Sequence, residues 1–259
     1  MTDLARSNPL GRFTGLAEAY SKYRPGYPPE AVDFIIEKRA LGSASLLVDV
    51  GCGTGISSRL FAERGVPVLG IEPNAEMRAT ASATSTAFGS KTPTYQDGRA
   101  ESTGLPDGMA DTVVAAQAFH WFDAHAALTE FHRILKPSGW VVLMWNERDE
   151  RDEFTAAYGA IIRTSPDAVA TELPRGTAGS AIFASPLFQC AEKVVFYHEQ
   201  PVGEEGLIGR AFSASYAPRD PEEISLWTNA LKALFSKYER DGMVALTYET
   251  SLYLAERRA

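Results

Sequence analysis

Between positions 46 and 55 the chain reads Leu-Leu-Val-Asp-Val-Gly-Cys-Gly-Thr-Gly. An apolar run that ends in three closely spaced glycines predicts a buried parallel strand, a tight turn and a helix start. An amphipathic segment follows directly, with Ile56, Leu60 and Phe61 on one face. Glycines in such a turn permit backbone angles closed to other residues and remove side chains where a ligand must approach. The helix start offers free N–H groups and the positive end of a dipole.

Several ligand-binding turns share this outline, and the residues separate them. The dinucleotide fingerprint G-x-G-x-x-G requires a third glycine where this chain has Ile56. A phosphate-binding P-loop requires Gly-Lys-Ser/Thr, and no lysine is present here. What remains is Asp49 at the strand end followed by G-C-G-T-G, which resembles motif I of the class I S-adenosylmethionine (SAM) methyltransferases. The resemblance implies a doubly wound, mostly parallel seven-stranded α/β sheet of order 3-2-1-4-5-7-6 with helical cap elements. It implies SAM as cofactor, with Asp49, Gly51, Cys52, Gly53 and Gly55 on its methionine side. Cys52 itself reads as structural, since the turn needs only a small residue there.

Composition narrows the class of partner. The chain has 259 residues, 45% of them hydrophobic and 22% charged, a net charge of −8 and a pI near 5.1. That balance suits small-molecule chemistry rather than nucleic acid, since no Lys/Arg run exceeds Arg257-Arg258. Two cysteines, Cys52 and Cys190, make neither a disulfide framework nor a zinc spacing, and no metal is expected. Met1 to Asn8 lacks the apolar core of a signal peptide, and no 18-residue apolar stretch exists, so a cytoplasmic location is expected. Nothing in the sequence specifies an oligomeric state.

The opening segment concentrates Tyr20, Tyr23, Arg24 and Tyr27 among two prolines and a glycine. Its bland reading is a surface turn with packed aromatics. The Y-x-x-x-R-P-x-Y-P pattern resembles the N-terminal segment of the trans-aconitate methyltransferase-like subgroup. That resemblance implies a lid in which Arg24 or Tyr20 faces the cofactor carboxylate and Tyr27 faces substrate. A helix is predicted from Pro29 to near Gly42. The second strand ends in Glu72-Pro73-Asn74, where an acid is placed to accept from a ribose diol. Nicotinamide enzymes use the same device. A loop is expected over residues 84–92, then a short third strand at Thr94–Gln96. The run Asp97-Gly-Arg-Ala-Glu101 followed by Leu105-Pro106 resembles the family's adenine turn, which implies contacts from Ala100 and Glu101. Arg99 stands where the family has an acid, so Asp97 and Glu101 both remain candidates for the adenine amine.

The fourth strand, from Asp111, exits through Gln117-Ala-Phe-His-Trp-Phe122. Ligands bind outside the carboxyl ends of such strands, which places Gln117, His120 and Trp121 at the crevice. His120 is the candidate general base if the acceptor needs one, and otherwise a wall of the acceptor pocket with Trp121. Asp123 caps a helix whose buried face is Leu128, Phe131, Ile134 and Leu135. His125 and His132 on that helix read as structural. The fifth strand, from Trp140, ends in Trp145 and Asn146, both expected at the substrate side. Residues 147–192 read as a helical insertion, and 193–259 as two antiparallel strands separated by two helical stretches, with Tyr216 lining the acceptor pocket. The lid and first helix occupy 1–42 and the SAM-binding core 43–146. The expected function is SAM-dependent methylation of a small molecule, with O- or carboxyl-methylation favoured. A catalytically silent SAM-binding regulatory module and a nicotinamide oxidoreductase are the alternatives.

Overall fold

β1 (Leu47–Val50) is buried at every residue and pairs in parallel on both sides, with β2 (Val68–Ile71) and β4 (Ala110–Ala116). A strand without an exposed edge or face is apolar except where a buried polar group is hydrogen-bonded. Leu47, Val48 and Val50 are fully inaccessible, and so is Asp49, which the Ser57 and Ser58 hydroxyls satisfy. Each such apolar side chain contributes about 1.5–3 kcal/mol relative to exposure. The computed structural model describes residues 15–85, 91–172 and 178–259. Met1 to Asn8, the start of the expected lid, part of the expected 84–92 loop and part of the 147–192 insertion lie outside the described residues.

Seven strands form one sheet, completed by β3 (Thr94–Gln96), β5 (Leu135–Arg148), β6 (Phe188–Val202) and β7 (Val244–Arg257). The order is β3-β2-β1-β4-β5-β7-β6, as expected, with β7 antiparallel between β5 and β6. One face is covered by α2 (Pro29–Arg39) and α3 (Ile56–Glu63), through Val32, Ile35 and Phe61. The other is covered by α5 (Ala124–Ile134), through Leu128, Phe131 and Ile134. The expected caps form. The Asp123 carboxylate accepts from the Ala126 N–H at 3.0 Å, and Asn74 accepts from the N–H groups of Glu76 and Met77 at the start of α4 (Ala75–Thr84). Leu135, expected on the face of α5, instead opens β5 by pairing with Ala110, and is buried in the same core. Thr84, expected in a loop, closes α4.

The two late strands are far longer than the apolar runs at 194–198 and 246–254 suggest. They pair along their whole lengths, from Phe188↔Arg257 to Val202↔Val244. β6 is an edge strand of mostly half-exposed residues, which hides it from a hydrophobic pattern. The register explains the shape of the molecule's upper half. Arg148 at the end of β5 pairs with Tyr248, so residues 244–247 of β7 pair only with β6 and project beyond the parallel sheet. A separate core is built on that projection. It joins Val202, Leu246 and Tyr248 to α6 (Glu153–Ile162), α7 (Pro166–Glu172), α9 (Glu204–Phe212) and α10 (Pro221–Tyr238). A short α8 (Ala181–Ala184) packs lower down, with Ile182 in the sheet core. Among the described residues, no helix is long and apolar enough to cross a membrane.

The turn after β3 is fixed by one carboxylate. Glu130 of α5, 8% exposed, accepts from the Thr103 N–H at 2.7 Å and hydroxyl at 2.5 Å. It also accepts from Arg133, which in turn holds the Leu105 carbonyl at 2.8 Å. Burial opposes ionisation of Glu130, but Arg133 and Thr103 together hold its pKa down to about 2. A depressed carboxylate pKa contributes stability above the unfolded value, near 4.3, and loses it as pH falls toward 2. Glu130→Gln is therefore expected to lower unfolding free energy by about 1.5–3 kcal/mol at pH 7. In urea titrations that difference should shrink steadily between pH 5 and pH 2.5.

Candidate functional site

A cavity of about 360 Å³ opens at the carboxyl ends of the parallel strands. Its floor is the glycine turn. Gly51, Gly53 and Gly55 all have positive φ, at +71°, +55° and +77°. At Gly51 a Cβ would lie 2.7 Å from the Ala118 Cβ, so this glycine lets the turn pass under the exit of β4. At Gly53 a Cβ meets nothing within 4 Å, so what requires glycine is its left-handed backbone, and the turn stays open on its cleft side. Gly55 faces the Tyr95 hydroxyl and caps α3, whose first residues Ile56 and Ser57 also line the cleft.

Two acids sit on either side of this turn and do different things. Asp49 is fully buried beneath it, and its Oδ2 accepts from the Ser57 and Ser58 hydroxyls, each at 2.6 Å. It ties β1 to the start of α3 and does not reach the cleft wall. Glu72 lines the cleft at the end of β2. Its carboxylate accepts from the Gly53 N–H at 3.0 Å and the Asn74 N–H at 2.9 Å. Burial pushes the Glu72 pKa above the ordinary carboxylate value, against those two donors. Burial pushes the Cys52 thiol well up too, helped by the charges of Asp49 and Glu72, so Cys52 lines the cleft as a neutral, small group.

The N-terminal segment closes one side. After α1 (Ala17–Tyr23), Arg24 lies with its guanidinium 4.7 Å over the Tyr20 ring and donates to the Ser213 carbonyl at 3.2 Å. Tyr20, Arg24, Pro25 and Tyr27 all line the cleft. Two polar contacts hold the segment down. Gln200 Nε2 donates to the Tyr23 carbonyl at 3.0 Å, and Asn146 Nδ2 donates to the Gly26 carbonyl at 2.7 Å. Asn146 is itself fixed, because Thr250 Oγ1 donates to its Oδ1 at 2.6 Å.

On the opposite side, Pro73, Arg99, Ala100 and Glu101 line the wall. Asp97 is not on that wall and pairs with Arg78 at 2.9 Å. Glu101 accepts from the Asp123 N–H at 3.0 Å. The chain leaves β4 through Gln117, which has φ +53°, a left-handed conformation uncommon for a side-chain-bearing residue. Two hydrogen bonds to β5 hold it there, from its N–H to the Met144 carbonyl and from its Nε2 to the Asn146 carbonyl, both 2.8 Å. This bend carries Gln117, Trp121 and Phe122 onto the cleft wall. Gln117 Oε1 is buried, with no partner among the described residues.

Of the residues expected at the site, Tyr20, Arg24, Tyr27, Gly51, Cys52, Gly53, Glu72, Pro73, Ala100, Glu101, Gln117, Trp121 and Asn146 are brought together on one cleft. Asp49, Gly55, His120, Trp145 and Tyr216 are not on its wall. His120 lies in a tight helical turn (Phe119–Trp121) that directs Trp121, not the imidazole, to the cleft. The His120 Nδ1 accepts from the indole N–H of Trp145 at 3.3 Å, and Trp145 is buried behind the wall. Tyr216 also stands behind it, donating to Glu172 at 3.3 Å. The sequence reading expected a helical insertion beyond residue 147 but named none of the side chains it brings to the cleft. Arg148, Glu150, Arg163, Glu172, Arg210 and Tyr248 line it there. A charged run at Glu147-Arg148-Asp149-Glu150 is the only local signal, and it reads equally well as a solvated loop.

Comparison with known proteins agrees with this geometry. Residues 48–143 match the family model described as a methyltransferase domain. An uncharacterized methyltransferase of Mycobacterium tuberculosis is 36% identical over 161 residues, which are 61% of this chain and 61% of that relative's length. The YcgJ protein of Bacillus subtilis superposes with a TM-score of 0.56 at 18% identity, covering 89% of this chain and 99% of the other. The geranyl diphosphate C-methyltransferase of Streptomyces coelicolor, solved with S-adenosyl-L-homocysteine, superposes with a TM-score of 0.51 at 15% identity, covering 88% and 79%. Such likenesses establish the fold, which is the Rossmann-like methyltransferase sheet. Residues 48–143 of this chain thus match a methyltransferase domain in sequence, on a sheet with the strand order of that fold.

Proposed function

We propose that this chain is a SAM-dependent methyltransferase that methylates an oxygen of a small-molecule acceptor. The observation that carries the reading is the Glu72 carboxylate, hydrogen-bonded to the Gly53 N–H across an open glycine turn. A carboxylate offers about four lone-pair directions. Two are taken by the N–H groups of Gly53 and Asn74, which leaves the others for the hydroxyl donors of a ribose. The rest of the wall fits the same cofactor. Gln117 Oε1 is a buried acceptor suited to an ammonium, and Arg24 is a cation suited to a carboxylate. Ala100 and Glu101 flank the place of the adenine.

The cofactor supplies, when bound, a methyl group on a sulfonium that is already activated as a leaving group. The protein's task is then to position the acceptor and exclude water. The closed N-terminal segment, held by Gln200 and Asn146, serves the second task. Among the described residues the cleft wall carries neither histidine nor lysine. That favours an acceptor that arrives already ionised, and a carboxylate oxygen is such a nucleophile. His120 then supports Trp121 from behind the wall, together with Trp145, rather than acting as a base. The parallel core within 43–146 takes the cofactor, while residues 15–42 and the described parts beyond 147 enclose the acceptor.

Calorimetry with S-adenosylhomocysteine and with NADH tests this reading. Binding of the first and not the second is expected, and the reverse would make the chain a nicotinamide enzyme. Turnover of methyl-labelled SAM against a panel of carboxylic acids and phenols separates an enzyme from a silent binding module. Glu72→Gln is expected to weaken S-adenosylhomocysteine by about tenfold or more, the range for a hydrogen bond to a charged group. In the wild type, affinity should fall on acidification from pH 7 to 5, because protonating Glu72 removes an acceptor and its raised pKa brings this loss toward neutrality. The Glu72→Gln variant should bind with the same affinity across that range.

A further inference from the structure

The cap side of the cleft carries three arginines, and they are paired unequally. Arg148 donates through Nη2 to both oxygens of Glu172, each at 2.8 Å. Arg163 donates to both oxygens of Glu150, at 2.5 and 2.8 Å. These four form a closed, neutral set, joined further by Arg148–Glu150 at 3.5 Å and Arg163–Glu172 at 3.9 Å. Arg210 stands outside it. It is 6% exposed, lines the cleft, and donates through Nε to the Tyr248 hydroxyl at 3.2 Å. Among the described residues no carboxylate pairs with it. The remainder of the chain contains a single acid, Asp3.

A guanidinium removed from water without a counter-charge is costly, and proteins place one so only where something offsets the cost. Its surroundings do not supply the charge. Tyr158, Tyr216 and Tyr248 are all buried in the same cap core, and they offer neutral phenols. The fork of N–H donors on arginine matches a planar carboxylate in two parallel hydrogen bonds. Arg210 also sits beside the docking point of the N-terminal segment. The Tyr23 ring packs on the neighbouring Gly209, and the Tyr248 hydroxyl donates to Gln200, which holds the Tyr23 carbonyl.

We propose that the methyl acceptor carries a carboxylate, or an oxyanion of the same shape, and that Arg210 is the residue that pairs with it. This rests on the reading of the cleft as a methyl-transfer site. It adds the residue that reads the acceptor's charge and a link from that contact to the closed N-terminal segment.

The test is a calorimetric titration of the full chain, with and without saturating S-adenosylhomocysteine, using succinate and its neutral diamide at constant ionic strength. Succinate should bind at least tenfold more tightly than the diamide. That preference should vanish in Arg210→Met and be largely lost in Arg210→Lys, which keeps the charge but not the fork. S-adenosylhomocysteine affinity should change less than twofold in both variants. Equal binding of the two probes by the wild type would overturn the proposal, as would an unchanged preference in Arg210→Met. A tenfold loss of S-adenosylhomocysteine affinity in the variants would also overturn it, because the anion would then be the cofactor's own. The melting temperature of Arg210→Met should not fall, since the change removes an uncompensated buried charge. A fall of more than about 5 °C would make Arg210 a structural residue instead. If the wild type fails to bind S-adenosylhomocysteine, the methyl-transfer reading fails by itself, and the cofactor-free titration still decides the role of Arg210.

Discussion

The hydrogen bond from the Gly53 N–H to Glu72 joins the turn after β1 to the end of β2. The cleft depends on that join. β1 and β2 are neighbours in register, with Val50 opposite Ile71, so the residues that follow them leave the sheet side by side. Backbone bonds from the Gly51 and Cys52 N–H groups to the Ile71 carbonyl, at 2.8 and 3.2 Å, already keep the two exits together. The Glu72 bond adds a fixed carboxylate beside a left-handed glycine, and both face the same cavity. Asp49 makes this possible from below by fixing Ser57 and Ser58, and hence the start of α3. Its burial raises its pKa, so its role is to accept hydroxyl hydrogen bonds in a dry site rather than to meet a ligand.

The other half of the cleft follows from a different constraint, the length of the β6–β7 pair. These strands outrun the parallel sheet, and the apolar surface of their projecting ends has to be covered. α6, α7, α9 and α10 cover it and thereby roof the carboxyl edge of the sheet. The roof brings Arg148, Arg163, Glu150, Glu172 and Arg210 to a place that ordinary α/β geometry would leave to solvent. It also gives the N-terminal segment something to dock on, through Gln200, Ser213 and Gly209. A buried carboxylate thus shapes the floor, and a long antiparallel strand pair shapes the roof.

Much of the floor is legible in the sequence because its residues are unusual where they stand. Three glycines after an apolar run, an acid after a second run, and Asn or Asp before an amphipathic helix each have few structural meanings. The order of the sheet follows from the family resemblance those residues support. The roof is not legible for an equally physical reason. β6 alternates half-exposed residues, and the arginines and glutamates of the cap look like a solvated surface until helices close over them. His120 and Trp145 show the limit of placing residues by strand ends alone. His120 follows one central strand and Trp145 lies within the next, yet one tight turn points Trp121 to the cleft and leaves His120 hydrogen-bonded to Trp145 behind it. Direction at a strand exit is set by backbone angles such as the positive φ of Gln117, which no side-chain pattern announces.

The central claim is that the Glu72–Gly53 clamp holds the sugar of a nucleoside cofactor. A crystal structure of the chain soaked with S-adenosylhomocysteine tests it most directly. Both ribose hydroxyls are expected within hydrogen-bonding distance, about 2.5–3.0 Å, of the Glu72 carboxylate, with the Gly53 backbone beside the amino-acid moiety. A ribose bound elsewhere in the cleft, with Glu72 still satisfied only by Gly53 and Asn74, would contradict it.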